Sequence, residues 1–306
     1  MRRRPRVGAG GGVRRRAATA ALSAASGAGV IPATGRGPER VDLHRAGSVT
    51  TVVVDGHPQS HVNLHDPTDL GFEYLLQLAV VLDTLDPHPP APLSVTHIGG
   101  AGLSLPRFLA VRRPGSPQIV LEPDETVTAI VRRELPLPRG HRIRVRPTDG
   151  RSGLAGLKDG SARVVVLDAY HQGRVPAELT TAEAFTGYAR VVGPDGLLLA
   201  NLADEPGLSY VARVAAAARG AGFPSLLLIG NHEILKGRRF GNVVLAASAS
   251  ALDDQAVATA LARRALGAGL RDVAATARWA RSARAFTDDD CAPSPPAPDP
   301  GRWRVR

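Results

Sequence analysis

The sequence predicts an α/β chain: a doubly wound, seven-stranded, Rossmann-like sheet preceded by a small β-hairpin. Three observations carry that prediction. From Leu93 onward, strand-like and helix-like segments alternate. Four strand candidates, 118–122, 163–168, 196–201 and 224–229, are continuous apolar runs such as Val164-Val165-Val166-Leu167, the pattern of central strands buried on both faces. The first strand candidate of the alternating part, 93–98, ends in a glycine-rich turn (Gly99, Gly100, Gly102), and an acid, Glu122, follows about twenty residues later, the layout of a nucleotide-binding βαβ unit.

Taken in order, residues 1–40 are rich in Gly, Arg and Ala and read as a disordered arm. Residues 50–64 read as a hairpin, with a strand at 51–54, a turn at Asp55-Gly56 and a return strand. Asp66-Pro67-Thr68 breaks it and can start a helix; 72–85 is apolar with helical spacing. Pro87, Pro89, Pro90 and Pro92 then form a linker. The remaining strand candidates are 142–146 and 242–247, with helices in the gaps. Glu183 is spaced to complete a capping box with Thr180. Residues 230–241 have no helical pattern, so the last two strands are predicted to pair antiparallel. A helical segment over 253–285 closes the domain, and 286–306 reads as a disordered tail. The domain plan is therefore an arm (1–40), a hairpin and helix (41–90), a Rossmann-like ligand-binding domain (91–285) and a tail.

Composition narrows the function classes. Hydrophobic residues make up 43% of the 306, enough for a core, but aromatics are only 4%, so aliphatic side chains must fill it. No run of eighteen apolar residues occurs, so no membrane span is expected. The single cysteine, Cys291, excludes an internal disulfide framework and suits a reducing cytoplasm. The net charge of +10 belongs mostly to the arm, which holds nine arginines and one glutamate; it reads as a leader, not as a nucleic-acid contact. The histidines show no compact ligand spacing, so no metal site is expected, and His97, inside a strand, reads as a core residue.

The motifs then come in a recognisable order: Val54-Asp55-Gly56-His57-Pro58-Gln59, Phe72-Glu73-Tyr74, Ile98-Gly99-Gly100-Ala101-Gly102, Glu122-Pro123-Asp124, Thr148-Asp149-Gly150-Arg151, Val166-Leu167-Asp168-Ala169-Tyr170, 179–185 and Gly241-Asn242-Val243-Val244. Over roughly 50–250 the chain resembles the spermidine synthase (polyamine aminopropyltransferase) family, in particular its shortened bacterial members. The resemblance implies the sheet of the S-adenosylmethionine-dependent methyltransferases. It implies that decarboxylated S-adenosylmethionine, or S-adenosylmethionine itself, serves as donor co-substrate with no tightly bound cofactor. Its partners would be a small-molecule donor and acceptor, and a homodimer is compatible with it. Gln59, Gly99, Gly100, Gly102, Glu122, Asp149, Gly150 and Asp168 fall at donor-binding positions, with Glu122 on the ribose hydroxyls and Asp149 on the adenine amino group. Asp168, with Tyr74 beside it, falls at the catalytic position that orients and deprotonates the attacking amine.

The chain departs from the family where cationic amines are held. Gly102 stands where the turn carries an aspartate, His171 where a second aspartate follows the catalytic one, and Leu75 and Leu76 where the helix tyrosine is followed by a polar residue and a glutamate. Three readings follow: an aminopropyltransferase-like enzyme diverged in its acceptor, an S-adenosylmethionine-dependent methyltransferase on the same fold, and a non-catalytic adenosyl-ligand-binding homologue. The last would be favoured by an exposed Leu75–Leu76 patch.

Overall fold

The computed structural model describes residues 40–298; the basic arm and the end of the tail lie outside the described residues. Strands β1 (Val41–Ala46), β2 (Val49–Val54) and β3 (His57–Asn63) form an antiparallel sheet in that order. The expected hairpin is thus extended by β1. Its alternation is short and ends in charged residues, which hid it, but Val41 and Leu43 are buried. Asp66 starts no helix. Its carboxylate accepts from the Thr68 amide and hydroxyl in a local turn, and helix α1 (Glu73–Thr84) begins after it.

The second sheet carries β4 (Val95–Ile98), β5 (Gln118–Leu121), β6 (Ile143–Arg146), β7 (Val164–Leu167), β8 (Leu197–Asp204), β9 (Ser225–Asn231), β10 (Gly241–Ser248) and β11 (Ala268–Arg271). Their spatial order is β11-β9-β10-β8-β7-β4-β5-β6. The five strands from β6 to β8 run parallel, and β10 pairs antiparallel with β9, as expected, and also with β8. The eighth strand, β11, was not expected. Ala268–Arg271 contains a glycine and lacks a β-branched residue, so nothing in its composition marks a strand; pairing with the edge of β9 makes it one. The predicted closing helical segment is therefore a helix, α8 (Asp254–Arg263), then β11, then α9 (Val273–Trp279).

Between the strands lie α2 (Ser104–Arg112), α3 (Glu125–Glu134), α4 (Gly150–Ala155), α5 (Ala182–Val192), α6 (Ser209–Gly220) and the single turn α7 (His232–Leu235). Helices α1 and α2 cover one face, with Leu75, Leu78, Phe108 and Leu109 against Val164, Val166, Leu197 and Leu199. Helices α5 and α6 cover the other, with Phe185, Tyr188, Val211 and Val214 against Val165, Leu167, Leu198 and Ala200. The cap of α5 is Thr181, whose hydroxyl accepts from the Ala184 amide. Glu183 does not reach back to Thr180; it accepts from the Asp288 amide of the chain's late segment.

That segment corrects the predicted tail. Phe286 is buried and Ser294 fully so. Ser294 exchanges two hydrogen bonds with Val175, Asp288 pairs with Arg151 and Thr181, and Asp290 pairs with Arg213. Proline-rich composition removes helix and strand patterns but not packing, so residues 286–298 looked structureless while lying against the body.

Arg113, at the end of α2, is 0% exposed and donates to the carbonyls of Leu82, Leu85, Pro87 and Ala91, fastening the end of α1 and its linker to the sheet. Arg113→Met keeps the aliphatic packing but strands four buried acceptors. It is expected to lower stability by about 3 kcal/mol in urea unfolding; a change under about 1 kcal/mol would show that water satisfies those carbonyls instead.

Candidate functional site

Strand order reverses between β4 and β7: from β4 the sheet grows through β5 to β6, and from β7 through β8 to β10. Open α/β sheets bind ligands at the carboxyl ends of the strands beside such a reversal. Two cavities open there. One, roughly 500 Å³, runs over Gly99, Gly100, Glu122, Asp149 and Gly150. The other, roughly 460 Å³, lies between β3, α1 and the ends of β7, β8 and β10. Gln59, Gly99 and Asp168 line both, so the two lobes meet at Asp168.

The glycine turn separates and shapes the lobes. Gly99 has φ +90, and a Cβ there would fall 2.3 Å from the Asp168 carbonyl oxygen, so only glycine lets β4 and β7 end side by side. The Glu122 carboxylate clasps the turn: one oxygen accepts from the Gly100 and Ala101 amides at 2.9 and 3.0 Å, the other from the Asp124 amide. Three of the four lone pairs are thereby used, and the oxygen that accepts from Asp124 keeps one for a ligand hydroxyl. Asp149 caps α4 by accepting from the Ser152 amide, and that bond holds its carboxyl below the usual range. Gly150 is buried, with the space of its missing Cβ filled by Ile98 and Leu179.

Gly102 is a correction. It lines neither cavity; it is buried beneath the small sheet, where its amide donates to Ser60 Oγ and a Cβ would meet Ser60 Cβ at 2.7 Å and Val62 and Val52 at 3.0 and 3.1 Å. The hairpin has moved into the space an acidic side chain would need.

Asp168 ends β7, with Asn201 Nδ2 donating to it at 2.9 Å and the Tyr74 hydroxyl donating as well. Burial raises its carboxyl to about 6, and these two donors offset part of that rise. Behind it Asn242 donates to Asn201 Oδ1 at 2.9 Å and to the Tyr170 hydroxyl at 3.2 Å. Phe72 stacks on Tyr74 at 5.8 Å and holds the ring over the site. Burial and the neighbouring Asp168 charge push the Tyr74 phenol up, so it is a donor at neutral pH.

The sequence therefore brings Gln59, Tyr74, Gly99, Gly100, Glu122, Asp149, Gly150 and Asp168 to one crevice. It did not single out Asn201; the signal was a lone amide inside the apolar run of β8. His97 is buried, as expected, but it also lines the second cavity, so it is more than core filling. Leu75 is 2% exposed and lines that cavity too, while Leu76 packs against the core, so there is no exposed leucine patch for a partner.

No family model matches the chain. It is 32% identical over 114 residues to a polyamine aminopropyltransferase of Vibrio vulnificus, and 25% identical over 174 residues to one of Chromobacterium violaceum. These matches span 38% and 64% of the two relatives, and 37% and 56% of this chain. The crystal structure of a probable spermidine synthase from Corynebacterium glutamicum superimposes with a TM-score of 0.77 at 26% identity, over 85% of this chain and 96% of that one. The chain is thus similar to spermidine synthases in both sequence and fold. A spermidine synthase from Thermotoga maritima, at 15% identity, 78% of this chain and 87% of that one, shares the fold with a TM-score of 0.53. The spermidine synthase-like chain thus carries the sheet of that group with a small antiparallel sheet of three strands before it. Among the described residues no helix is long and apolar enough to cross a membrane.

Gly102→Asp restores the acid of the family pattern but drives its Cβ into Ser60. It is expected to lower Tm by several degrees, an effect of about 2 kcal/mol, and an unchanged Tm in scanning calorimetry would show that the small sheet yields.

Proposed function

We propose that the chain transfers an aminopropyl group from decarboxylated S-adenosylmethionine to an amine acceptor in the cytoplasm. The observation that carries this reading is the place of Asp168, at the seam of two lobes, with a carboxyl raised to about 6 and held by Tyr74 and Asn201. The lobe over the glycine turn takes the adenosyl part, Glu122 accepting from a ribose hydroxyl through its one free lone pair and Asp149 from the adenine amino group through its remaining lone pairs. Gln59, shared by both lobes, faces the reacting chain. The acceptor enters the lobe beneath Tyr74.

The chemistry is a displacement. The acceptor nitrogen forms a bond to the propyl carbon next to the sulfonium, the carbon–sulfur bond breaks, and its electron pair returns to sulfur to give methylthioadenosine. The nitrogen's surplus proton passes to Asp168. A carboxyl near 6 is ionised at neutral pH, so it can take that proton from the acceptor's ammonium and free the lone pair that then attacks. The Tyr74 and Asn201 donors fix which lone pair faces the substrate.

Titration calorimetry with methylthioadenosine, S-adenosylmethionine and its decarboxylated form tests the reading. Tightest binding of the decarboxylated donor supports it; preference for S-adenosylmethionine would transfer the argument to methyl transfer, and no binding of any at millimolar concentration would sink both. Glu122→Ala is expected to weaken methylthioadenosine binding at least about tenfold. The pH profile is a separate check. Protonated Asp168 cannot accept a proton, so kcat/KM should fall about tenfold per unit below pH 6 and level above it. In the donor complex the sulfonium stabilises the carboxylate, so the inflection in kcat should sit lower; a flat kcat/KM between pH 5 and 7 (roughly one unit either side) would remove Asp168 as the base.

A further inference from the structure

The acceptor lobe has two levels. At its upper level Asp168 and Tyr74 face each other. Val166, two residues before Asp168, is level with His97 of β4, so His97 points to the same sheet face one pleat deeper, about 6.6 Å along the strand. Helix α1 runs the opposite way to β4: Tyr74 stands at the carboxyl end of the sheet, and the Leu82 and Leu85 carbonyls are bound by Arg113 near its amino end, where Ser116 holds Leu93. Gln77, one turn after Tyr74, is therefore also deeper, by about 4.5 Å along the helix. His97 and Gln77 both line the lobe, at 3% and 2% exposure.

This lower level is built of acceptors. Gln118 gives its amide hydrogens to the Pro106 carbonyl, so its oxygen accepts from His97 Nε2 at 2.9 Å. That tautomer leaves His97 Nδ1 an acceptor, and burial, pulling the ring down to about 4, keeps it uncharged. Gln77 sends its amide nitrogen toward Glu73, and its Oε1 is buried with no hydrogen-bond partner. A buried orphan acceptor is costly to the fold, and a ligand donor relieves that cost. Around them are Leu75, Leu105 and Val166; the Glu73 carboxylate, which takes the Gln77 amide hydrogen at 3.5 Å, is itself exposed to solvent. At the mouth Glu73 and Arg239 are both exposed and of opposite sign, so the entrance does not select for a second cation.

We propose that this lobe takes a primary monoamine whose far end is a neutral hydrogen-bond donor, a hydroxyl above all, seated on Gln77 Oε1 and His97 Nδ1, in place of the second ammonium of a diamine. The amine lies at Asp168 and a short aliphatic chain spans the two levels. A second ammonium at the lower level would be desolvated among apolar side chains with two neutral acceptors, the Glu73 carboxylate being solvated and already engaged by the Gln77 amide, whereas a hydroxyl needs only the hydrogen bond. The proposal rests on the aminopropyl-transfer reading for which end of the acceptor reacts, and its test is separable from that reading.

Straight-chain amino alcohols and diamines of the same length are titrated into the full chain, with and without saturating methylthioadenosine. Amino alcohols are expected to bind at least about tenfold tighter than the matching diamines. Gln77→Leu should bring the two classes within about twofold, and Gln77→Glu, isosteric and charged, should reverse the order. Tighter binding of diamines to the wild-type chain, no binding of either class at millimolar concentration, or an unchanged preference in both variants would overturn the proposal. Failure of methylthioadenosine to bind would instead strike the donor reading, because the titrations without it still report the acceptor. Should Gln77→Leu not fold, the wild-type order and Gln77→Glu decide.

Discussion

The turn after β4 has one path open to it, because three neighbours meet it at once. Asp168's carbonyl sits where a side chain on Gly99 would be, the Glu122 carboxylate holds the Gly100 and Ala101 amides, and Ser60 accepts from the amide of Gly102. Arg107, buried in α2, fixes the far side through the Gly102 carbonyl. Each neighbour comes from a different element: β7, β5, β3 and α2. The turn is thus where the small sheet, the large sheet and the helix layer are tied together, and both lobes of the crevice take their shape from it.

That constraint links architecture to specificity. Because the small sheet rests directly on Gly102, an acid cannot occupy that position without displacing Ser60, Val62 and Val52. The glycine at this position and the close seating of the small sheet are one structural fact. Leu75 belongs to the same change: it is buried in the core beside Leu78 and offers the acceptor lobe an apolar wall. At the seam of the two cavities stands Asp168, with the neutral donors Asn201 and Tyr74 beside it.

The sequence was legible where a pattern had one physical cause. Continuous apolar runs located β5, β7, β8 and β9, since strands buried on both faces allow little else, and the spacing from Gly99 to Glu122 placed the donor lobe. It was silent where tertiary contact decides. Ala268–Arg271 becomes a strand only by pairing with β9, and residues 286–298 carry no periodicity yet pack through Ser294, Asp288 and Asp290. In the site, acids and glycines were readable because few roles suit them in such turns. Asn201, His97 and Gln77 were not, because a polar residue inside a buried run looks like an ordinary core position until its neighbours are known. Gly102 was misread for the opposite reason: the motif was right, but the packing above it had changed.

The late segment that packs against Val175 has a consequence for the order in which the molecule is completed. The first cavity, over the glycine turn, is assembled from residues between Val54 and Leu179. The second cavity borrows part of its wall from Ala297, more than a hundred residues later in synthesis. In synthesis, therefore, every residue of the first cavity is in the chain before the wall of the second is finished.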